Sequence, residues 1–88
     1  MGSTQKPQDY IQYHKDGSIW AKGQLIADTP TGYWEWFRKD GTLMRSGTFR
    51  DGIQVGRWTT YDKNGQIYKV TDMKDGKKGA EKTIIERN

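Results

Sequence analysis

The sequence lacks cysteine and contains a single histidine. Without cysteine the chain can form no disulfide scaffold, no thiolate zinc site and no cysteine nucleophile. One histidine argues against a histidine-based metal cage or catalytic triad. Apolar runs are also short, and none approaches the roughly 20 residues that a membrane helix needs. We therefore expect no metal, no cofactor and no catalytic residues.

Aliphatic residues are scarce as well. Leu, Ile, Val and Phe make up only about 15% of the 88 residues, below the roughly 20% that separates folded chains from disordered ones. The same short chain holds four Trp, five Tyr and eleven Gly. One small domain of this composition must bury its rings against backbone if it is to fold.

Glycines and aromatic residues recur at a fixed spacing of 24 residues, as Gly17, Gly41 and Gly65 show. Large apolar residues form columns with the same period: Tyr10, Trp34 and Trp58; Tyr13, Phe37 and Tyr61; Ile19, Leu43 and Ile67; Trp20, Met44 and Tyr68. A period of about 20 to 50 residues indicates a stacked array. We predict three repeats, at about residues 9–32, 33–56 and 57–79, with these columns as the architectural residues.

Each repeat has the pattern of a β-hairpin. Lys-Asp-Gly or Lys-Asn-Gly stands at 15–17, 39–41 and 63–65, and such turns favour hairpins because the turn needs positive φ. A second turn, containing Asp51-Gly52 and Asp75-Gly76 and closed by Gly56 or Gly79, leads into the next repeat. The predicted fold is all-β: a meander of antiparallel β-hairpins, about seven strands in a single twisted sheet.

The length of the first turn sets which side chains meet. A two-residue loop places Trp34 opposite Gly47, and it makes three further pairs: Phe37 with Met44, Tyr13 with Trp20 and Tyr61 with Tyr68. A three-residue loop with a glycine bulge would shift this register by one. We favour the two-residue loop because it sets a ring over a strand glycine, beside Leu43 and Phe49 on one face. Glycine in a strand is otherwise destabilising.

The residues at the two ends of the chain fall outside the three predicted repeats. Residues 1–8 are predicted to be a disordered segment, and residues 1–3 are typical of an expression remnant. Residues 80–88 are predicted to be a capping strand or tail. Lys82 stands in the tryptophan column there, and charge protects an edge strand from pairing.

The titratable residues give no sign of catalysis. His14 shares a column with Arg38 and Asp62 beside the turns, where we expect an ordinary solvent-exposed histidine. The turn carboxylates are expected to accept turn hydrogen bonds, and their spacing does not suit acid–base work; they are Asp16, Asp40, Asp51 and Asp75.

A net charge of +4 and a pI near 9.4 raise the question of anionic partners. Aromatic residues on basic strands could stack nucleic-acid bases or meet an anionic membrane. However, basic and acidic residues alternate through most of the chain, so we favour a protein partner or self-association over both.

Side chains present in only one repeat are the candidates for binding. Trp36 shares its column with Gln12 and Thr60, and Tyr33 shares its column with Asp9 and Arg57. Ile53 and Val55, placed in the second turn, are also specific to the central repeat. We predict that Tyr33, Trp36, Ile53 and Val55 contribute to a partner or self-association surface. The alternative is that the central repeat has a bulkier core.

The central unit runs Gly32-Tyr33-Trp34-Glu35-Trp36-Phe37 through Gly41 and Leu43, then Gly47-Thr48-Phe49-Arg50-Asp51-Gly52 to Gly56. It resembles the MORN repeat, and specifically the bacterial variant found in antitoxin-like proteins. The likeness covers roughly residues 9–79. The departures are Asp28 and Pro30 in the second turn of the first unit, and Thr71 in place of a glycine in the third. The resemblance implies a β-hairpin array used for protein or membrane contact, with no catalytic residues to transfer.

Choline-binding repeats offer a second comparison, since the segment 58–65 combines Trp, Tyr and an Asn-Gly turn in a similar way. Their period is nearer 20, and Thr59 and Thr60 interrupt their aromatic run. Our expectation is a non-catalytic binding module for a protein partner. The alternatives are a glycan- or choline-binding repeat and a sheet that binds anionic lipid or nucleic acid. The lack of cysteine suits either redox compartment, and we lean towards a cytoplasmic location.

Overall fold

The computed structural model describes residues 6–83, and within them it contains seven β-strands and no helix. The strands are β1 (Gln8–Tyr13), β2 (Ile19–Ile26), β3 (Thr29–Phe37), β4 (Leu43–Arg50), β5 (Ile53–Tyr61), β6 (Ile67–Lys74) and β7 (Lys77–Thr83). They pair in chain order in one antiparallel sheet. The predicted all-β meander is confirmed. Of the two predicted end segments, residues 1–5 and 84–88 lie outside the described part of the chain.

The first turn of each hairpin has three residues, so the predicted two-residue loop is wrong. In the second hairpin the Arg38 amide donates to the Thr42 carbonyl at 2.9 Å, and the Gly41 amide donates to the Arg38 carbonyl at 2.8 Å. Gly41 has a φ of +93°, which closes a three-residue loop with a glycine bulge. The same two bonds recur around Gly17 and Gly65.

A second bulge then returns the strands to the expected register. Trp36 pairs with Arg45 and Phe37 pairs with Leu43, so Met44 is the extra residue. Trp34 therefore still pairs with Gly47, as predicted. The predicted Phe37–Met44 pair is wrong, because the longer loop shifts the register by one and the bulge shifts it back.

The same correction applies to the outer hairpins, where Tyr13 pairs with Ile19 and Tyr61 pairs with Ile67. The predicted partners Trp20 and Tyr68 are instead the bulged residues. They are 36% and 44% exposed, so these two members of the predicted architectural column are surface residues.

The second turns are the two-residue ones. Asp51 and Gly52 have φ values of 52° and 79°, as a two-residue hairpin turn with positive φ at both positions requires. The strands resume directly afterwards, and β5 begins at Ile53. The prediction that this turn extends to Gly56 was wrong, and Ile53 and Val55 lie on a strand.

The sheet has two faces of different character. We call the side that carries the rings of Trp34, Trp36, Phe49 and Trp58 the aromatic face, and the other side the opposite face. Neighbouring rings on the aromatic face have centroids 5.1–6.3 Å apart. Strand alternation places Leu43, the partner of Phe37, on the opposite face. This corrects the prediction that Leu43 lies beside Phe49.

Each buried tryptophan lies over the strand glycine of the preceding hairpin. A Cβ atom on Gly23 would overlap the ring of Trp34, and a Cβ atom on Gly47 would overlap the ring of Trp58. Rings do lie over strand glycines, as predicted, but the predicted partners were wrong because the contact joins successive hairpins rather than the two strands of one hairpin. Only glycine allows so close an approach of a ring to the backbone.

The indole N–H groups complete this contact. Trp34 Nε1 donates to the carbonyls of Gln24 at 3.2 Å and Thr31 at 3.1 Å, and Trp58 Nε1 donates to the Thr48 carbonyl at 3.2 Å. The ladders between β2 and β3 and between β4 and β5 are irregular beside Gly23 and Gly47. The tryptophans thus provide donors where the ladder is interrupted, and both are at least 95% buried.

His14 and Arg38 also connect successive hairpins, which corrects the prediction of an ordinary solvent-exposed histidine. His14 Nε2 lies 3.0 Å from the Phe37 carbonyl oxygen. The Arg38 guanidinium donates to the Tyr61 carbonyl at 2.7 Å and to the Asp62 carbonyl at 3.3 Å. Both side chains are half-buried, because they reach sideways along the sheet rather than into solvent.

The apolar core is thin. Among residues 6–79, whose burial is described, the fully buried apolar residues are Ala21, Trp34 and Trp58. The molecule measures 57 × 35 × 14 Å, which is the thickness of a single sheet with its side chains. The buried apolar residues therefore lie in the aromatic layer, whereas the opposite face buries the polar residues Ser46 and Thr59.

Candidate interaction surface

The structure separates the four residues predicted to form a binding surface. Thr48 alternates with Phe49 along β4, so it lies on the opposite face. Tyr33 and Val55 both pair with Thr48, one from each side. Ile53 pairs with Arg50, two residues further along. Tyr33, Val55 and Ile53 therefore share the opposite face, whereas Trp36 lies on the aromatic face.

The opposite-face group is open to solvent. Tyr33 is 56% exposed and Ile53 is 44% exposed, while Val55 is half-buried between the strands. We call Tyr33, Thr48, Ile53 and Val55 the central apolar patch. It is built on three adjacent strands, β3 to β5, whose backbone pairing fixes the relative positions of the side chains.

Trp36 has a different environment. Its ring centroid lies 5.9 Å from that of Trp34, 6.3 Å from that of Phe49 and 5.4 Å from that of Trp58. On the same face Arg45 stacks above Trp58, with its guanidinium carbon 5.0 Å from the ring centroid. Trp36 joins the rings of two hairpins, which is a structural position, and its predicted role in partner binding stays a prediction.

A shallow groove lies beside the central apolar patch. It has a volume of about 290 Å³, and its lining includes Ile11, Lys22, Tyr33 and Glu35. Ile11 pairs with Lys22, and Lys22 pairs with Glu35, so an apolar residue, a cation and an anion follow one another across three strands. The groove has mixed character and suits a ligand with both apolar and charged groups.

Charges in the middle of the opposite face pair with charges of opposite sign, whereas Lys74 and Lys77 pair with each other at one end of it. Besides Lys22 and Glu35, Arg57 pairs with Asp72 across β5 and β6. Cross-strand neighbours of opposite sign stabilise the sheet modestly and cancel each other's field. This face therefore does not present the single-signed field that strong phosphate binding requires.

Two turn carboxylates have lowered pKa values, as expected from their predicted role as hydrogen-bond acceptors. Hydrogen bonds from the Ser18 hydroxyl and amide lower the pKa of Asp16. Bonds from the Thr42 hydroxyl and amide likewise lower the pKa of Asp40. Asp75 instead forms an exposed ion pair with Arg50 at 2.8 Å. These carboxylates are used in the turns and are not grouped as an acid–base pair.

No cluster of three potential metal ligands occurs within residues 6–83. The same part of the chain contains no helix that is long and apolar enough to cross a membrane.

A comparison with models of protein families matches a segment of this sheet. Residues 54–75 match the family model described as the MORN repeat variant. The matched segment covers nearly all of the β5–β6 hairpin, including Trp58 and the turn around Gly65. The β5–β6 hairpin therefore carries a MORN repeat. Searches of curated proteins and of solved structures gave no significant match.

The matched MORN repeat shares its geometry with the other two hairpins. Tyr10, Trp34 and Trp58 pair with Gly23, Gly47 and Thr71 in equivalent positions, and each hairpin carries the same bulge just after its three-residue turn. The three hairpins therefore share one strand register, and the family match covers the third of them.

Sequence reasoning missed some exposed apolar residues. Ile11 and Ile67 are 42% and 43% exposed, and both lie on the opposite face, Ile11 because it neighbours Tyr10 and Ile67 because it pairs with Tyr61. Ile67 belongs to a column filled in every repeat, which led us to treat it as architectural. The strict alternation of strands would have placed Ile11 on the opposite face, since Tyr10 belongs to the tryptophan column.

Proposed function

We propose that this protein is a non-catalytic binding module that contacts a protein partner through the opposite face. The observation that carries the proposal is the central apolar patch: Tyr33 and Val55 flank Thr48 on a rigid strand platform, and Ile53 lies beside them. Exposed aromatic and aliphatic side chains on a fixed scaffold are typical of protein interfaces.

The aromatic face is less suited to this role because its rings already contact one another. Trp34 and Trp58 are buried over glycines, and Trp36 packs between them. A partner that contacted this side would find few rings free to enter its own pockets. The opposite face keeps its tyrosine and isoleucine side chains available.

Charge favours a protein over an anionic surface as the ligand. The opposite face pairs Lys22 with Glu35 and Arg57 with Asp72, so its net field is weak. Nucleic-acid and anionic-lipid binding depend on uncompensated lysine and arginine. Mixed charges around an apolar patch resemble the polar rim of a protein–protein interface.

The test is site-specific photocrosslinking in the native cells, with a photoreactive phenylalanine analogue at Tyr33. We expect a discrete protein adduct that disappears when Val55→Asp is added. A matched control carries the analogue at Lys39, in an exposed turn at the edge of the sheet, and should give no such adduct.

Adduct formation that is equal at Tyr33 and Lys39, or unaffected by Val55→Asp, would contradict the proposal. The alternatives predict different results. Binding of choline or of anionic vesicles should change tryptophan fluorescence, because all the tryptophans except Trp20 lie in or beside the aromatic layer. We expect neither ligand to change it.

A further inference from the structure

The two edges of the sheet differ in a way that the protein-binding proposal does not use. Within the described residues β1 pairs only with β2, and β7 pairs only with β6. β7 carries four charged residues in seven, namely Lys77, Lys78, Glu81 and Lys82. β1 carries a single charge, that of Asp9. Charges on an edge strand prevent pairing with another chain, so β7 is protected and β1 is not.

β1 also holds an unusual share of the exposed apolar surface. All six of its residues are exposed. Tyr10, Ile11 and Tyr13 are 37%, 42% and 58% exposed, which makes three of the eight large exposed apolar residues. Tyr10 stands in the column of Trp34 and Trp58, which are only 5% and 3% exposed. The difference arises because the inner strands have neighbours on both sides and β1 has one.

We propose that β1 pairs antiparallel with β1 of a second copy of this chain, about a two-fold axis perpendicular to the sheet that passes through Ile11. Two seven-stranded sheets then become one continuous sheet. The axis keeps the aromatic faces of both copies on the same side, so the layer of rings continues across the junction.

The position of the axis follows from the sequence of β1. Centred on Ile11, the pairing sets Ile11 against its own copy, Tyr10 against Gln12 of the second copy, and Asp9 against Tyr13 of the second copy. An apolar pair then lies at the centre, and the Asp9 carboxylate has a tyrosine hydroxyl within reach. Centring the pair on Tyr10 would set Asp9 against Ile11, which leaves a carboxylate beside an aliphatic side chain.

The assembly is closed. A two-fold contact uses the β1 edge of both copies, so only the charged β7 edges remain at the two ends. A dimer is therefore expected, and not a fibre. Six-residue strands span about 20 Å, so the contact is small and the dimer should be weak.

Sedimentation of the purified full chain over a range of concentrations tests the proposal. The wild type should pass from monomer to dimer. Ile11→Lys should raise the dissociation constant on the order of tenfold or more, because two ammonium groups would meet across the axis. The matched control is Ile67→Lys, since Ile67 has nearly the same exposure on the same face but lies on β6, away from β1; it should leave the constant unchanged.

Complementary variants make the test specific for self-pairing. Ile11→Lys and Ile11→Glu should each be monomeric alone and should form a mixed dimer when combined. The lack of native cysteine allows a covalent check: Ile11→Cys should give a disulfide-linked dimer on mild oxidation, while Ile67→Cys should not. A short antiparallel pair brings opposite Cβ atoms within about 5 Å of each other.

A wild-type chain that stays monomeric at every concentration would overturn the proposal, and so would a dimer that Ile67→Lys disrupts and Ile11→Lys does not. Dimerisation can also be tested separately from partner binding. Val55→Asp should abolish the photocrosslinked adduct at Tyr33 while leaving the dimer intact, so either idea can fail alone.

Discussion

At the residue scale, the tryptophans of the repeating column stabilise the fold through both the ring and the indole N–H. Trp34 covers Gly23 and donates to two carbonyls near an irregular part of the ladder. A phenylalanine could cover the glycine but could not donate. This explains why the two inner members of the column are tryptophan. Tyr10 need not be one, because within the described residues no strand precedes β1 for its ring to cover.

Trp34→Phe should therefore lower the free energy of unfolding by about 1–3 kcal/mol, through lost hydrogen bonds and a smaller buried ring. Chemical denaturation gives the value. The matched control is Trp20→Phe, because Trp20 is a bulged and exposed residue, and its effect should stay within about 0.5 kcal/mol. Equal losses for the two variants would contradict the assigned role of the indole N–H.

Acid stability depends on two turn carboxylates. Asp16 and Asp40 have pKa values lowered from 3.8 by hydrogen bonds from Ser18 and Thr42. A lowered folded-state pKa contributes stability above the unfolded-state value, and that contribution is lost as pH falls through the folded-state value. The wild type should therefore lose stability as pH falls below 3.8.

In the double variant Asp16→Asn, Asp40→Asn these two sites no longer titrate, so the acid-induced fall in melting temperature should be shallower than in the wild type. Thermal unfolding followed from neutral pH to pH 2 would show it. Parallel curves for the two proteins over the acid range would argue against this origin of the pH dependence.

At the element scale, the first of the two-residue turns is the weak one. Ala27 and Asp28 adopt φ values of 49° and 69°, whereas the corresponding turn of the next hairpin uses Asp51 and Gly52. Positive φ is costly for residues with a Cβ atom, and least so for Gly, Asn and Asp. The fold imposes this conformation because the strands on either side need a two-residue connection.

Giving the first turn the residues of the second should thus stabilise the protein. Ala27→Asp with Asp28→Gly should raise the free energy of unfolding by about 1 kcal/mol, which corresponds to a melting temperature higher by about 4–8 °C. The reverse exchange, Asp51→Ala with Gly52→Asp, should lower it, since a Cβ atom on Gly52 would also approach Thr29 Cγ2 at 3.0 Å. No change in either variant would show that the turns do not limit stability.

The sequence predicted the order of the strands but not their register near the turns. The period of the glycines and aromatics was sufficient to predict seven strands in meander order. The register near the turns was not predictable, because the bulge at Met44 compensates the three-residue loop and leaves the Trp34–Gly47 pair unchanged. A pattern of residue types cannot distinguish one longer turn plus a bulge from a shorter turn.

The contacts between hairpins were the other gap. His14 and Arg38 looked like turn residues in one dimension, yet they bond to carbonyls 23 or 24 residues further along. The distribution of the candidate site over two faces was hidden for a similar reason. Tyr33 and Trp36 are three residues apart on one strand, and residues separated by an odd number lie on opposite faces. Because Ile53 and Val55 were placed in a turn, the sequence did not show which face these two residues share.

At the scale of the whole molecule, the proposed function assigns stability to one face of the sheet and partner binding to the other. A sheet about 14 Å thick has no second layer to cover it, so one face must hold the fold by itself. The aromatic face does this with rings that contact one another and the backbone. The opposite face, with Tyr33 and Ile53 about half exposed, is the face that we propose contacts a partner.

The most direct measurement of this division is the free energy of unfolding of two matched serine variants, Trp36→Ser and Tyr33→Ser, obtained by chemical denaturation. Both replace a large ring on β3, one on each face. We predict a loss of about 2–4 kcal/mol for Trp36→Ser and of less than about 1 kcal/mol for Tyr33→Ser. The opposite order, or equal losses, would contradict the account.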